Sequence, residues 1–412
     1  VSVSPRGATS RIVLIGFAEV VTNDPEQGGL LGVVENGAIV IDGGTVEWVG
    51  PAGSLPGSYD DLPRTAHPGM TAIPGFVDAH THLVFAGHRA DEFAVRASGA
   101  SYEDILSSGG GIHSTVAATT AAAPEELRAE TSVRLERMLA AGTTTVEVKS
   151  GYGLSTRNER RLLETVAGLS AELPIEISPT FLGAHAVPPG TDPGDYIDAV
   201  IHEMLPECAG LAESCDVFCD EGIFGVEEAR RVLEAGKAHG LTPRIHACQL
   251  SNIGAAELAA ELGAASADHL DHIDRAGVEA LAASGTVAVL LPGVSFSLRL
   301  PPPPARMLLD AGVTVALATD CNPGTSYVET MSWVIAVALR EMGFSPDEAL
   351  WAATRGGALA LRRPQHGMIA PGSVADIAIL DADSHNHLAY RPDGDLIDAV
   401  YKRGVRSEPF GG

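Results

Sequence analysis

The sequence predicts an α/β chain: a (β/α)8 (TIM) barrel over residues 71–365, flanked by a small β-sandwich domain built from residues 1–70 and 366–412 of the two termini. Three observations carry this. Between 71 and 365, eight β-branched, apolar stretches alternate with helix-patterned ones, the count for a closed barrel. At both ends, short alternating segments are separated by turn signals such as Asn36-Gly37 and Gly43-Gly44. Histidines and acids fall at the C-terminal ends of the central stretches, where such barrels carry their chemistry.

The N-terminal segments 11–16, 37–42 and 45–50 read as a small antiparallel β unit, and the pattern returns at 374–380 and 398–402. A few strands at either end would be marginal alone, so the two ends are expected to pair. In the centre, the barrel strands are predicted at 73–82, 143–149, 175–182, 216–219, 242–247, 265–270, 286–291 and 313–319. Helices are predicted at 124–141, 156–172, 225–239, 325–342 and 346–361. A doubly wound open sheet is the alternative, and the strand count favours closure.

Composition narrows the function. The chain has 412 residues, 45% of them apolar, and a formal charge of −26. That charge argues against a nucleic-acid partner or an anionic membrane surface, and no apolar run reaches membrane-spanning length. An anionic substrate would need a local Arg or Lys to overcome the background field. The N-terminus lacks a signal-peptide pattern. The five cysteines (Cys208, Cys215, Cys219, Cys248, Cys321) form no CxxC pair. They read as reduced thiols of a cytoplasmic protein. A homodimer is the expected assembly.

The chemistry begins with His80 and His82. Side chains at i and i+2 of a strand share a face, so the pair projects together from the end of the first barrel strand. Alone, His-x-His fits two satisfied histidines as well as half of a metal shell. Convergence decides between these readings. His185 follows the third strand, His246 ends the fifth, His269 ends the sixth and Asp320 ends the eighth. His80, His82 and His246 offer three nitrogens and Asp320 a carboxylate oxygen, leaving a position for water, the arrangement of a catalytic site. One metal is expected, zinc or iron, since this ligand set suits both. Such an ion lowers the pKa of bound water from about 15.7 towards about 7. Asp320 beside that water can accept its proton, and His269 can polarise a carbonyl or steady an oxyanion.

This constellation resembles the amidohydrolase superfamily, with His-x-His on strand 1, His on strands 5 and 6, and Asp on strand 8. Binuclear members carry a carboxylated Lys on strand 4; here the lysine is Lys149 on strand 2, which reads as an ion-pair partner of Glu147 or another acid. The loops are similar to the imidazolonepropionase family of histidine degradation. The stretches that carry this likeness are 87–89, Tyr102, 109–112, 146–154, 181–185, 249–252, 266–270 and 319–325. The resemblance implies ring opening of 4-imidazolone-5-propanoate by water to N-formimidoyl-L-glutamate, a small anionic heterocycle as substrate. Arg89 suits its carboxylate; the competing role is an ion pair with Asp91 or Glu92. The resemblance also implies substrate contacts for Tyr152, His185, Asn322, Gly324 and Thr325. Tyr102 is a further contact or a packing residue of the segment 87–123, which reads as a mobile lid or as a flexible turn. At 249 some family members have Glu. Gln249 cannot shuttle protons and can only orient water or substrate, which places proton transfer on Asp320. Asp220 stands where Glu is more usual.

Rival readings are another amidohydrolase (a cyclic-imide hydrolase or a heterocycle deaminase) and a non-catalytic metal-binding barrel. No GxGxxG follows a strand, so a dinucleotide site is excluded.

Overall fold

A computed structural model describes residues 11–99, 110–392 and 396–407. Eight parallel strands follow one another in sequence order around the centre: Phe76–Asp78, Thr143–Lys149, Glu176–Ala184, Ser214–Cys219, Thr242–Ala247, Ser266–His269, Val287–Leu290 and Val315–Leu317. The last and first are not joined as a ladder. They meet through a bridge between Thr81 and Cys321, with Asp320 N donating to His80 O (3.0 Å) and His82 N to Cys321 O (3.0 Å). Asp78 adds to this seam by accepting from the Thr319 amide (3.1 Å) and hydroxyl (2.6 Å). The barrel therefore closes through the very residues that flank the predicted ligands.

The first strand differs from its predicted extent. Thr71–Pro74 pairs with Ile377–Leu380 in the terminal sheet, and only Phe76–Asp78 enters the barrel. Gly75 is the change of direction: a Cβ there would collide with Thr144, and its amide donates to Asp376 O (2.9 Å). His80 and His82 lie beyond the strand proper, held by the seam.

The terminal segments form two sheets. One orders Thr45–Pro51, Gly37–Asp42, Ile12–Ile15 and Arg64–Ala66; the other orders Val405–Arg406, Ile397–Lys402, Ile377–Leu380, Thr71–Pro74, Glu19–Val21 and Val33–Glu35. Leu14, Ile39 and Val46 of the first pack with Val20, Ile377 and Tyr401 of the second in one apolar core. The unit is not wholly antiparallel as expected. Ile12–Ile15 runs parallel to Arg64–Ala66, and Glu19–Val21 parallel to Thr71–Pro74, because the chain returns to each strand only after a long excursion.

Helices begin where the capping chemistry says they should. Pro124 opens Pro124–Ala140, and Ser345 accepts from the Glu348 amide while Glu348 reaches back to the Ser345 amide. Two helices differ from their predicted extents. The helix expected from 325 begins at Met331, because Asn322 and Ser326 form a bridge that turns 322–326 towards the barrel mouth. The helix expected over 346–361 is interrupted by a π turn at Ala352–Gly356. Gly356 and Gly357 there lie against Val315 and Val77, with no room for a Cβ beside either carbonyl oxygen. The segment 87–123 contains helices Ala90–Ala97 and Ile112–Ala121; Tyr102 lies outside the described residues. No helix among the described residues is long and apolar enough to cross a membrane.

Gly357 thus sets how closely this helix approaches the barrel seam. Gly357→Ala should lower stability by about 1–3 kcal/mol, as overpacking does, read as a reduced denaturant midpoint with unchanged slope; an unchanged midpoint would show that the seam tolerates the methyl group.

Candidate metal centre and active site

The buried end of the barrel carries His80, His82, His246, His269 and Asp320 in contact. His82 Nε2 and His246 Nε2 are 3.4 Å apart, and Asp320 Oδ1 lies 3.5 Å from the Nε2 atoms of both His80 and His82. Among the described residues, His80 Nε2 and Asp320 Oδ1 are buried without a hydrogen-bond partner. Leaving such atoms unpaired is costly unless something binds them. His80, His82 and His246 form one group of metal-competent donors, and His80, His269 and Asp320 another.

The imidazoles are oriented from behind. His80 Nδ1 donates to Asp268 Oδ2 (2.7 Å), and His246 Nδ1 donates to the Asp216 carboxylate (3.1 Å). A proton on Nδ1 leaves the Nε2 lone pair free to bind an ion, which fixes the tautomer a ligand needs. Burial first, and then Lys149, pushes the His80 imidazolium pKa well down; burial and then His185 do the same for His82. Both rings are therefore neutral, as ligands must be.

Beneath them lies a cluster of buried charges. Lys149 Nζ is 2.8 Å from Glu147 Oε1, 2.7 Å from Asp216 Oδ2 and 3.7 Å from Asp268 Oδ2. Arg244, fully buried, donates to Ala79 O (2.7 Å) and Ala360 O (2.9 Å) and approaches Asp268. Burial works against the charged form of Asp216, but Lys149 and His246 hold its carboxyl well below the usual range. Three carboxylates (Glu147, Asp216, Asp268) lie against two cations (Lys149, Arg244), while burial pushes the Asp320 carboxyl well above its usual range, so an ionised Asp320 lacks a compensating charge among them. Uncompensated buried charge is expensive, and a divalent cation held by three imidazoles and Asp320 would balance it. The residues fit such an ion.

Strain gathers at the same rim. Cys248, His269, Leu270 and Asp320, all at the ends of barrel strands, have positive φ (54°, 78°, 66° and 49°), a conformation that non-glycine residues hold only when the surroundings impose it. His269 lies across the cluster, its ring centroid 5.4 Å from His80 and 5.2 Å from His246.

On the other side, His185 stacks on His82 (4.9 Å between centroids, 16° between planes), and Tyr152 lies 5.4 Å from His185 and 5.9 Å from His82. The loop holding Tyr152 folds around one buried acid: Glu159 accepts from the amides of Gly151 (2.8 Å), Gly153 (2.7 Å) and Leu154 (2.7 Å). Gly151 has φ +110°, and its carbonyl accepts from His185 Nδ1 (3.0 Å); a Cβ there would stand 2.8 Å from that nitrogen. Burial depresses the His185 imidazolium pKa to about 3.

Arg89 is half-buried at the mouth. Its Nε and Nη2 form a bidentate ion pair with Glu92, whose Oε2 also accepts from Gly111 N (2.9 Å). Of the two acids weighed as partners, it is Glu92 that pairs. Gly324 leaves space against Nη1 that any side chain would fill. Asn322 and Thr325 direct their polar atoms at their own loop: Asn322 Oδ1 accepts from the amides of Gly324 (2.8 Å) and Thr325 (2.8 Å), and Nδ2 donates to Asp320 O (2.7 Å). Gln249 sits half-buried on the loop after the fifth strand. That loop is pinned by Asp220, which accepts from Leu250 N (2.7 Å) and Ser251 Oγ (2.6 Å).

The family model for the amidohydrolase family matches residues 71–406. An imidazolonepropionase from Streptomyces coelicolor is 50% identical over 402 residues, covering 97% of this chain and 99% of its own. The chain is an amidohydrolase of the imidazolonepropionase family. A second relative of that name, from Salinispora tropica, is 50% identical over 400 residues, 96% of this chain and 98% of its own. A mutant of atrazine chlorohydrolase from Arthrobacter aurescens, complexed with zinc and atraton, shares the fold at 18% identity (TM-score 0.73, 96% of this chain and 94% of its own).

Sequence reasoning missed Glu159, Asp216, Asp268 and Arg244. Their signal was present as acidic and basic residues at otherwise apolar strand positions, or, for Glu159, on the buried face of Thr156–Glu172. Because Glu159 organises the Tyr152 loop and does not reach the ligand cluster, Glu159→Gln should raise KM while the metal content of the purified protein stays at the wild-type level. Loss of metal instead would place Glu159 in the centre itself.

Proposed function

We propose that this imidazolonepropionase-family amidohydrolase opens the ring of 4-imidazolone-5-propanoate with water, giving N-formimidoyl-L-glutamate. The observation that carries the reading is 50% identity to imidazolonepropionases over nearly the whole of both chains. A divalent metal, zinc or iron, bound by His80, His82, His246 and Asp320 would supply a water of lowered pKa. The remaining work falls to side chains. Water adds to the ring carbonyl carbon, and the C–N bond beside it breaks. Asp320 takes the proton of that water and returns it to the departing ring nitrogen. His269, across the cluster, steadies the negative oxygen. The planar ring would lie near Tyr152 and His185, and Arg89 would hold the propanoate. Glu92 takes the Nε–Nη2 edge of Arg89, the competing role, and the propanoate would meet the remaining Nη1, beside which Gly324 leaves space. Gln249 orients water or substrate from its pinned loop. Asn322 and Thr325 act through the shape of the loop they tie, and Gly324 through the space it leaves for Arg89. Five free, buried cysteines fit a reducing cytoplasm.

The purified protein should remove the absorbance of the imidazolone, and a chelator should stop it. Asp320→Ala should lower kcat by about 10²–10⁴-fold; normal turnover by that variant would refute its assignment as base. Arg89→Met should lose charged hydrogen bonds of about 1.5–3 kcal/mol, a rise in KM of roughly 10- to 150-fold. Ammonia release from an aminated heterocycle, without imidazolone cleavage, would favour a deaminase instead.

A further inference from the structure

One ammonium group lies within 3.7 Å of the carboxylates that hold His80 and His246 and of the acid that binds the backbone beside His82. Lys149 Nζ binds Asp216 (2.7 Å), which carries His246, and lies 3.7 Å from Asp268, which carries His80. Its third partner, Glu147 (2.8 Å), uses its other oxygen to accept from the amide of Thr81 (3.1 Å), the residue between His80 and His82. The backbone repeats the connection: Lys149 N donates to Thr81 O (3.0 Å). These contacts join the second, fourth and sixth strands to the segment after the first, all without solvent, since Lys149, Glu147, Asp216 and Asp268 are each fully buried.

We infer that Lys149 is the positioning residue of the metal centre: a fixed internal cation that holds Asp216, Asp268 and Glu147 in place so that three Nε2 atoms face one point. Two features support the assignment beyond the ion pairs. Asp216 and Asp268 lie 2.7 and 3.7 Å from the same ammonium, so its loss removes the counter-charge shared by the two carboxylates that hold the rings. With Lys149 present, Glu147, Asp216 and Asp268 share two cations, Lys149 and Arg244. Without Lys149 the carboxylates would hold one further negative charge that the ion does not reach. Arg244 does not replace Lys149: it approaches Asp268 (3.7 Å) and Glu147 (3.9 Å) while donating to the carbonyls of Ala79 and Ala360, but of the two cations only Lys149 also pairs with Asp216. The inference rests on the metal reading of the four-ligand cluster and is independent of the substrate.

The test uses Co²⁺ alone as probe. Metal is stripped from the full-length protein, Co²⁺ affinity is measured by competition with a chromophoric chelator, and the d–d absorption bands report the ligand geometry. Lys149→Met should raise the Co²⁺ dissociation constant by about 10- to 100-fold, the usual cost of losing a group that orients metal ligands. It should also change the position and intensity of the bands while near-UV circular dichroism of the metal-free protein is retained. The double variant Glu147→Gln/Lys149→Met restores the native charge balance without the ammonium and serves if the single variant does not fold. The proposal expects it to show the same weakened affinity and altered bands. Wild-type affinity and wild-type bands in either folded variant would overturn the role given to Lys149. A wild-type protein that takes up no Co²⁺ would overturn the metal reading, and this inference with it.

Discussion

Charge that has been removed from water must be balanced locally, and on the floor of this site the carboxylates of Glu147, Asp216 and Asp268 are buried within a few ångströms of the cations Lys149 and Arg244. Each acid has an assigned neighbour: Asp268 and Asp216 bind imidazoles, Glu147 binds the Thr81 amide, and Asp320 faces the Nε2 atoms. Such clusters contribute little to stability compared with apolar packing, because desolvation offsets most of the attraction. What they provide here is orientation. The same residues also close the barrel, since the contact between the last and first strands runs through His80, His82, Asp320 and Cys321. Fold and site are thus one set of bonds, and a disturbance of either reaches the other.

Around this rigid floor the walls are loops, and each is held by a single polar side chain that gathers backbone amides. Glu159 does so for 151–154 and Asn322 for 324–325, while Asp220 takes the Leu250 amide together with the Ser251 hydroxyl. A loop would otherwise expose unpaired amides to an apolar interior. One buried acceptor serving two or three of them satisfies the backbone and fixes the loop geometry together. Glycine completes the device where a neighbour must come close: Gly151 admits His185 and Gly324 admits Arg89.

The mouth has a different character from the floor. Arg89, Glu92 and Gly111 link the helix Ala90–Ala97 to the start of Ile112–Ala121, so the group proposed to bind the carboxylate is attached to peripheral helices and not to the barrel. The histidine–Asp320 cluster is therefore built on the strand ends and the seam that closes the barrel, with strained but over-determined backbone. The proposed contact to the propanoate arm rests on elements added outside them. Positioning on strands and recognition on additions is how one barrel supports many substrates.

Much of this was legible in the chain itself. Period-two apolar runs and their spacing specify eight strands, because a buried parallel strand needs β-branched residues on both faces, and the histidines and Asp320 stand at strand ends by sequence position alone. Sequence could not tell where one strand ends and the next sheet begins. Residues 73–82 read as a single strand, and only the contact of Gly75 with Thr144 shows the chain leaving one sheet for another. Nor could it pair Lys149 with Asp216 and Asp268, which lie 67 and 119 positions away, or direct Arg89 to Glu92 and the atoms of Asn322 and Thr325 to their own loop. Local patterning determines which side of a strand a residue faces. Which distant charge it meets depends on barrel closure, and that is a property of the assembled sheet.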